Sequence, residues 1–262
     1  MANLDEHFGP YEGEGFSIRR DQNTKAKILE IAGDWLGKKR EGTEHDDHLS
    51  DDIPCQRKVV LKKREAEALL RLGGTPSSKL TAQEVIFFGF GHGFQDTILG
   101  PSAEEPIWSE EHELWYSPDG KFILGDGEYH EVKTTRRSAL KKADREAGLT
   151  IEDVLYRDND AWWRYILGVM ALTGTTTYYL HVAWIIPAEM ESFRIDAIPE
   201  RIERTWDEMT ERRANRRVHL IEGTLPPVTS RRGAYECNNC PYVNAEPCMS
   251  EVVTQNAIES GV

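Results

Sequence analysis

The chain has 262 residues and a mass of 29.9 kDa, enough to bury roughly 70–75 % of its unfolded surface without a disulfide scaffold. Its 39 % hydrophobic content, with seven Trp and nine Tyr, excludes a mostly disordered chain. A mean hydropathy of −0.57 and the lack of an unbroken apolar run of about 18 residues exclude a membrane-spanning helix, and a net charge of −13 argues against coating of nucleic acid by bulk electrostatics.

Residues 1–22 carry Gly, Pro, Asp and Glu without periodicity and read as a flexible arm. The opening MANLDEHFGP has no charged-then-apolar leader, so a cytoplasmic location without membrane association is expected. A helix is predicted from Thr24 to Lys38, with Ile28, Ile31, Ala32 and Trp35 on one face. An acidic loop over 41–53 follows, and a second helix starts after Pro54 and ends at Gly73-Gly74. Residues 23–80 therefore form an N-terminal helical region that contributes Cys55. Thr81 and Glu84 mark a further helix start, whose body is VIFFGFGHGFQDTIL.

Strands are predicted at ELWYS, KFIL and EYHEVKTT, divided by the turn signals Pro118-Asp119-Gly120 and Gly125-Asp126-Gly127. Then come a basic helix from Arg136 to Glu146 and an apolar helix, DAWWRYILGVMAL, ending near Gly174. TYYLHVAWII reads as a strand covered on both faces, and a charged helix follows Pro199. This order predicts an α/β (α+β) core with a mixed sheet flanked by helices over residues 81–225. A cysteine-bearing tail occupies 226–262.

The chemistry concentrates at Pro118-Asp119 and Glu131-Val132-Lys133. Alternate strand residues share a face, so Glu131 and Lys133 project together while Val132 points away. A hairpin partner can bring Asp119 beside them. Two carboxylates and the Val132 carbonyl are hard oxygen ligands suited to Mg²⁺ or Mn²⁺. Lys133 can orient a water or stabilise developing negative charge. Asp126, flanked by glycines, fits a hairpin turn better than a ligand position.

These residues resemble the PD-(D/E)XK nuclease superfamily, whose signature is an Asp in a turn followed by Glu-x-Lys on the next strand. The resemblance implies a restriction-endonuclease-like fold, with Asp119, Glu131 and Lys133 catalytic. A RecB-like member adds an upstream histidine as a metal ligand, here His92 in Gly91-His92-Gly93. It also adds a downstream Gln-x-x-x-Tyr helix motif, which is missing here; Arg164 or Tyr165 occupies that place.

Cys237, Cys240 and Cys248 form a C-x2-C-x7-C cluster, and the only other cysteine is Cys55. Four thiolates could bind a [4Fe–4S] cluster or zinc. One distant cysteine followed by basic residues, then a C-terminal triplet, is similar to the CRISPR-associated iron–sulfur exonucleases and their phage relatives. That resemblance favours the iron–sulfur cluster, stapling the N-terminal and C-terminal regions. It implies single-stranded DNA cut from a 5′ end, with recombination or CRISPR adaptation proteins as possible partners.

Arg136, Arg137, Lys141 and Lys142 follow the Glu-x-Lys strand and are expected to contact phosphates. Tyr116, beside Trp115, is expected to stack on unpaired bases. Arg212, Arg213, Arg216 and Arg217 read equally as a DNA track or a solvated helix face. Trp162, Trp163, Tyr178, Tyr179, Trp184 and His181 read as core. Two other functions compete with the nuclease: a catalytically silent DNA-end-binding or recombination-complex subunit, and a zinc-stabilised adaptor.

Overall fold

The computed structural model describes residues 11–13, 16–18, 47–73, 89, 91, 93, 95, 99, 106–121, 129–135, 141–184, 189–227, 237, 240, 242 and 248. The chain divides into two units, Met1–Glu41 with Ser77–Gly89 and Gly42–Pro76 with Phe90–Val262. In the first, strands β1 (Tyr11–Gly13) and β2 (Phe16–Ile18) pair as an antiparallel hairpin. The helix expected at Thr24–Lys38 lies outside the described residues.

The second unit is built on a four-stranded sheet ordered β5 (Gly120–Lys121), β6 (Tyr129–Thr135), β7 (Thr177–Trp184) and β8 (Glu189–Asp196). β5 runs antiparallel to β6, β6 parallel to β7, and β7 antiparallel to β8, giving the mixed α/β architecture. A parallel step needs a long crossover. The described part of this one contains helices α2 (Lys142–Glu146), α3 (Ile151–Asp158) and α4 (Asp160–Thr173). Helix α1 (Gln56–Arg71) precedes the sheet and α5 (Pro199–Glu222) follows it. A separate hairpin joins β3 (Ile107–Ser109) to β4 (Leu114–Tyr116).

Local chemistry sets the boundaries of these elements. Thr150 caps α3 by accepting from the Asp153 amide, and the Asp153 carboxylate accepts the Thr150 amide in return. α5 opens with Pro199, whose missing N–H costs nothing in the first turn. α4 and α5 both end on glycines with positive φ, Gly174 at 68° and Gly223 at 71°. The sheet face carrying Tyr178, Leu180 and Val182 packs with Ile166, Val169 and Met170 of α4 and Met209 of α5. There a Cβ on Gly168 would lie 2.9 Å from a methyl of Leu49, so glycine is what lets α4 approach the 3₁₀ turn Leu49–Asp52.

Several expectations are corrected here. α3, β3 and β8 were not read from the sequence. β4, from ELWYS, pairs with β3 in a hairpin separate from the four-stranded sheet. The described part of the basic helix begins at Lys142. The four arginines of α5 are neither a solvated face nor a DNA track. Arg213 holds Asp52 Oδ2 through both Nε and Nη2, at 3.0 and 2.6 Å. Fully buried Arg216 spans Asp52, Asp47 and Gln56, each at 2.9 Å. Arg217 reaches Asp47 at 2.8 Å, and Arg212 donates to the carbonyls of Asp52 and Pro54. The acidic loop is thus clamped to α5 just before Cys55.

Candidate active site

Three elements meet at the Asp119 turn. Asp119 Oδ2 accepts the backbone N–H of Val132 at 2.7 Å, tying the turn to the middle of β6. Tyr165 of α4 holds the turn from the other side. Its hydroxyl donates to the Ser117 carbonyl at 2.6 Å and accepts the Ser117 amide at 3.0 Å. On β6, Glu131 and Lys133 share a face and form an ion pair through Oε1 and Nζ. The Lys133 ammonium also lies 5.9 Å from the Tyr165 ring centroid. Tyr178, on the adjoining parallel strand, donates to Glu131 Oε2 at 3.4 Å.

Glu131 is only 2 % exposed. Burial and the neighbouring Asp119 carboxylate push its pKa up to about 7, against the opposing pull of Lys133 and Tyr178. Burial disfavours the Lys133 ammonium, but Glu131 and Asp119 outweigh it and raise its pKa, so it stays charged. Burial raises the Tyr165 and Tyr178 hydroxyls well above the usual range, with the Glu131 charge adding to it. Both therefore remain donors.

The donor set suits a divalent cation. Two carboxylates face one ammonium in a site mostly shut off from water, and a cation there would favour the ionised form of Glu131 that burial and Asp119 disfavour. Asp119 and Glu131 are the described side chains that could hold it, with the Val132 backbone between them. Among the described residues, no three His, Cys, Asp or Glu side chains close around one ion. His92 lies outside the described residues. Gly91 beside it is helical, and a Cβ there would meet Thr134 Oγ1 at 3.7 Å, so this backbone approaches the end of β6.

The remaining expected site residues scatter. Tyr116 is 8 % exposed and packs in the core, so its ring has no open face for a base. Arg164 turns away and pairs with Asp160 and Glu208, whereas its neighbour Tyr165 enters the site. Lys141 is exposed, Lys142 opens α2, and Arg136 and Arg137 lie outside the described residues. The roles of Tyr178 and Ser117 were missed. Parallel pairing of Tyr129 with Tyr178 brings the second hydroxyl to Glu131, and single-strand alternation does not reveal that pairing.

The four cysteines are all among the described residues. Cys55 precedes the first turn of α1, and all four cysteines are thiols rather than disulfides. The Cys240 amide donates to the Cys237 carbonyl at 3.2 Å, forming a tight turn. Burial raises the Cys240 thiol pKa, with nearby Cys55 and Cys248 adding to the shift and Lys58 opposing it. Among the described residues, which include all four cysteines, no three cysteine, histidine or carboxylate side chains gather closely enough to hold one metal ion. One face of α1 hydrogen-bonds to the end of α5 and to residues beyond it. Arg57 donates to the Pro226 carbonyl at 2.7 Å, Arg64 to the His219 carbonyl at 3.0 Å, and Glu65 accepts the Tyr242 hydroxyl at 2.8 Å.

Among solved structures, the chain shares its fold with a protein described as SSO0001, at a TM-score of 0.51 and 14 % identity. That alignment covers 86 % of this chain and 96 % of the other. An alkaline exonuclease, LHK-Exo from Laribacter hongkongensis, aligns at a TM-score of 0.39 and 15 % identity over 63 % of this chain and 89 % of its own. The same exonuclease in complex with dAMP aligns at 0.39 and 14 % identity, over 72 % of this chain and 94 % of its own. No family model and no curated protein matches the sequence. Among the described residues, no helix is long and apolar enough to cross a membrane.

Proposed function

We propose that the protein is a metal-dependent DNA exonuclease. The observation that carries this reading is the convergence of Asp119, Glu131 and Lys133, with the Asp119 carboxylate bonded to the backbone of the strand that bears the other two. A Mg²⁺ or Mn²⁺ ion held by Asp119, Glu131 and the Val132 carbonyl, with His92 as a further ligand, would polarise the scissile phosphate and acidify a bound water. Lys133 orients the attacking water and offsets the charge that develops on the phosphate oxygens. Tyr178 fixes the rotamer of Glu131, and Tyr165 fixes the Ser117–Asp119 turn, so both carboxylates are preorganised.

The sequence resemblance extends this reading to single-stranded DNA entered at a 5′ end. The basic stretch that includes Arg136, Arg137, Lys141 and Lys142 would guide the strand, and recombination or adaptation proteins would be partners. It also assigns Cys55, Cys237, Cys240 and Cys248 to a [4Fe–4S] cluster, with zinc as the alternative.

The deciding assay is Mn²⁺-dependent digestion of single-stranded DNA labelled at either end, by the wild type and by Lys133→Ala. Wild-type protein is expected to release labelled product, and Lys133→Ala to lose most of that activity. Equal activity in the two proteins would overturn the assignment.

A further inference from the structure

A cavity of about 660 Å³ lies between the edge strand β8, helices α3 and α4 and the start of α5. Its size is within the roughly 300–1,000 Å³ usual for ligand sites. Leu155, Trp163, Ile166, Phe193 and Ile195 give it an apolar floor. The Trp163 indole N–H is spent on the Leu155 and Tyr156 carbonyls, both at 3.1 Å, so this floor has no donor with which to read a base. None of Asp119, Glu131, Lys133 and Tyr165 lines the cavity.

The rim sets the charge of the occupant. Asp196 is taken by Arg194 at 3.0 Å, and Glu152 and Glu200 stand in the first turns of α3 and α5, where the helix dipole favours negative charge. Arg201 and Arg204, one turn apart on α5, are left over. Arg201 donates to the neutral Tyr156 hydroxyl at 3.3 Å, and among the described residues neither arginine has a carboxylate partner. Tyr156 and Ile198, 60 % and 66 % exposed, carry the apolar surface out past this pair, so the cavity suits the anchor of a longer molecule rather than an enclosed small one. A nucleic-acid strand, charged at every phosphate, would run onto Glu152 and Glu200 as well. An apolar side chain flanked by carboxylates needs only the two guanidinium groups.

We infer that this cavity docks a polypeptide partner through an apolar side chain flanked by carboxylates: the side chain fills the floor, and Arg201 and Arg204 take the carboxylates. The site is separate from the nuclease residues, so the inference stands or falls apart from the proposed activity.

The experiment uses the full chain and a set of short peptides, each with one Phe, Trp or Leu among Asp and Glu residues, beside versions whose acidic residues are replaced by Lys or Ser. Binding is followed by fluorescence anisotropy for the wild type, Ile198→Asp and Arg204→Glu. Both positions are exposed. Ile198 is the N-cap of α5 and makes no side-chain cap bond, so aspartate there favours the helix while setting a carboxylate against the apolar rim. Acidic peptides are expected to bind the wild type in preference to the Lys and Ser versions. Each substitution is expected to weaken them at least about tenfold, as losing an interface anchor does. Should Ile198→Asp fail to fold, Arg204→Glu decides by the same ratio. A labelled single-stranded oligonucleotide, and sedimentation of the protein alone, cover the other occupants. Acidic peptides that do not bind, or bind no better than the Lys and Ser versions, would overturn the inference. So would peptide binding that survives either substitution in a folded protein, an oligonucleotide that only the wild type holds, or self-association that the variants lose.

Discussion

The carboxylate of Asp119 accepts the amide of Val132, so the turn residue is bonded to the backbone between Glu131 and Lys133. This one contact explains how a residue twelve positions from Glu131 shares its site. Asp119→Asn keeps an oxygen able to accept that amide but loses the charge. It is expected to melt close to wild type while metal-dependent activity falls by more than about 100-fold, since even outer-shell partners of a metal count for 10–100-fold. Thermal melting and the nuclease assay on the same preparation check this.

Glu131 gives a pH dependence of defined sign. Its folded pKa, near 7, lies above the unfolded value, so its protonation favours the metal-free fold at acid pH. That contribution is fully present below the unfolded pKa and is lost as pH rises through about 7. A divalent cation needs the ionised form. The rise in melting temperature caused by Mn²⁺ is therefore expected to be larger at pH 8 than at pH 6, and Glu131→Gln should abolish the difference.

The buried arginine cluster predicts a stability defect away from the active site. Asp52 is 1 % exposed and accepts from both Arg213 and Arg216. Asp52→Ala leaves two buried guanidinium groups without that carboxylate and is expected to cost about 3–5 kcal/mol, the usual penalty for breaking a buried pair from one side. Urea denaturation measures it. A loss below about 1 kcal/mol would mean the cluster relaxes into solvent.

Asp47 adds acid sensitivity. Burial opposes its ionisation, but Arg216 and Lys63, with hydrogen bonds from Arg217 and Arg216, hold its pKa well below the usual carboxylate range. A depressed folded pKa stabilises the protein above the unfolded value, near 4, and that stability is lost as pH falls further. Urea midpoints are expected to decline below pH 4, and Asp47→Asn should flatten part of that decline.

Gly168 tests the packing of α4. Its missing Cβ leaves room for the Leu49 methyls and the Met209 terminus, both fully buried. Gly168→Ala is expected to destabilise by about 1–3 kcal/mol, as overpacking does, despite the better helix propensity of alanine.

The convergence of Asp119, Glu131 and Lys133 was legible because a two-residue strand period puts Glu131 and Lys133 on one face, and Pro-Asp marks the turn beside them. α4 was legible because an apolar run ends at Gly174, and α5 because Pro199 opens a charged helical stretch. The edge strand β8 was not. Of its residues, Phe193 and Ile195 are the apolar pair packed on the core, and the rest read as a charged linker. The arginines of α5 also misled, because their acidic partners lie about 160 residues upstream and helical spacing carries no trace of them. Tyr165 was weighed only as a stand-in for a missing motif. Its bonds to Ser117 depend on how α4 crosses the sheet, a tertiary relation absent from local sequence.

The central claim is that Asp119 and Glu131 jointly bind a divalent cation. Electron paramagnetic resonance titration of Mn²⁺ into the wild type, Asp119→Asn and Glu131→Gln tests it most directly. One site in the wild type, weakened at least about tenfold in each variant, is the expected result. Identical Mn²⁺ binding by all three proteins would contradict it.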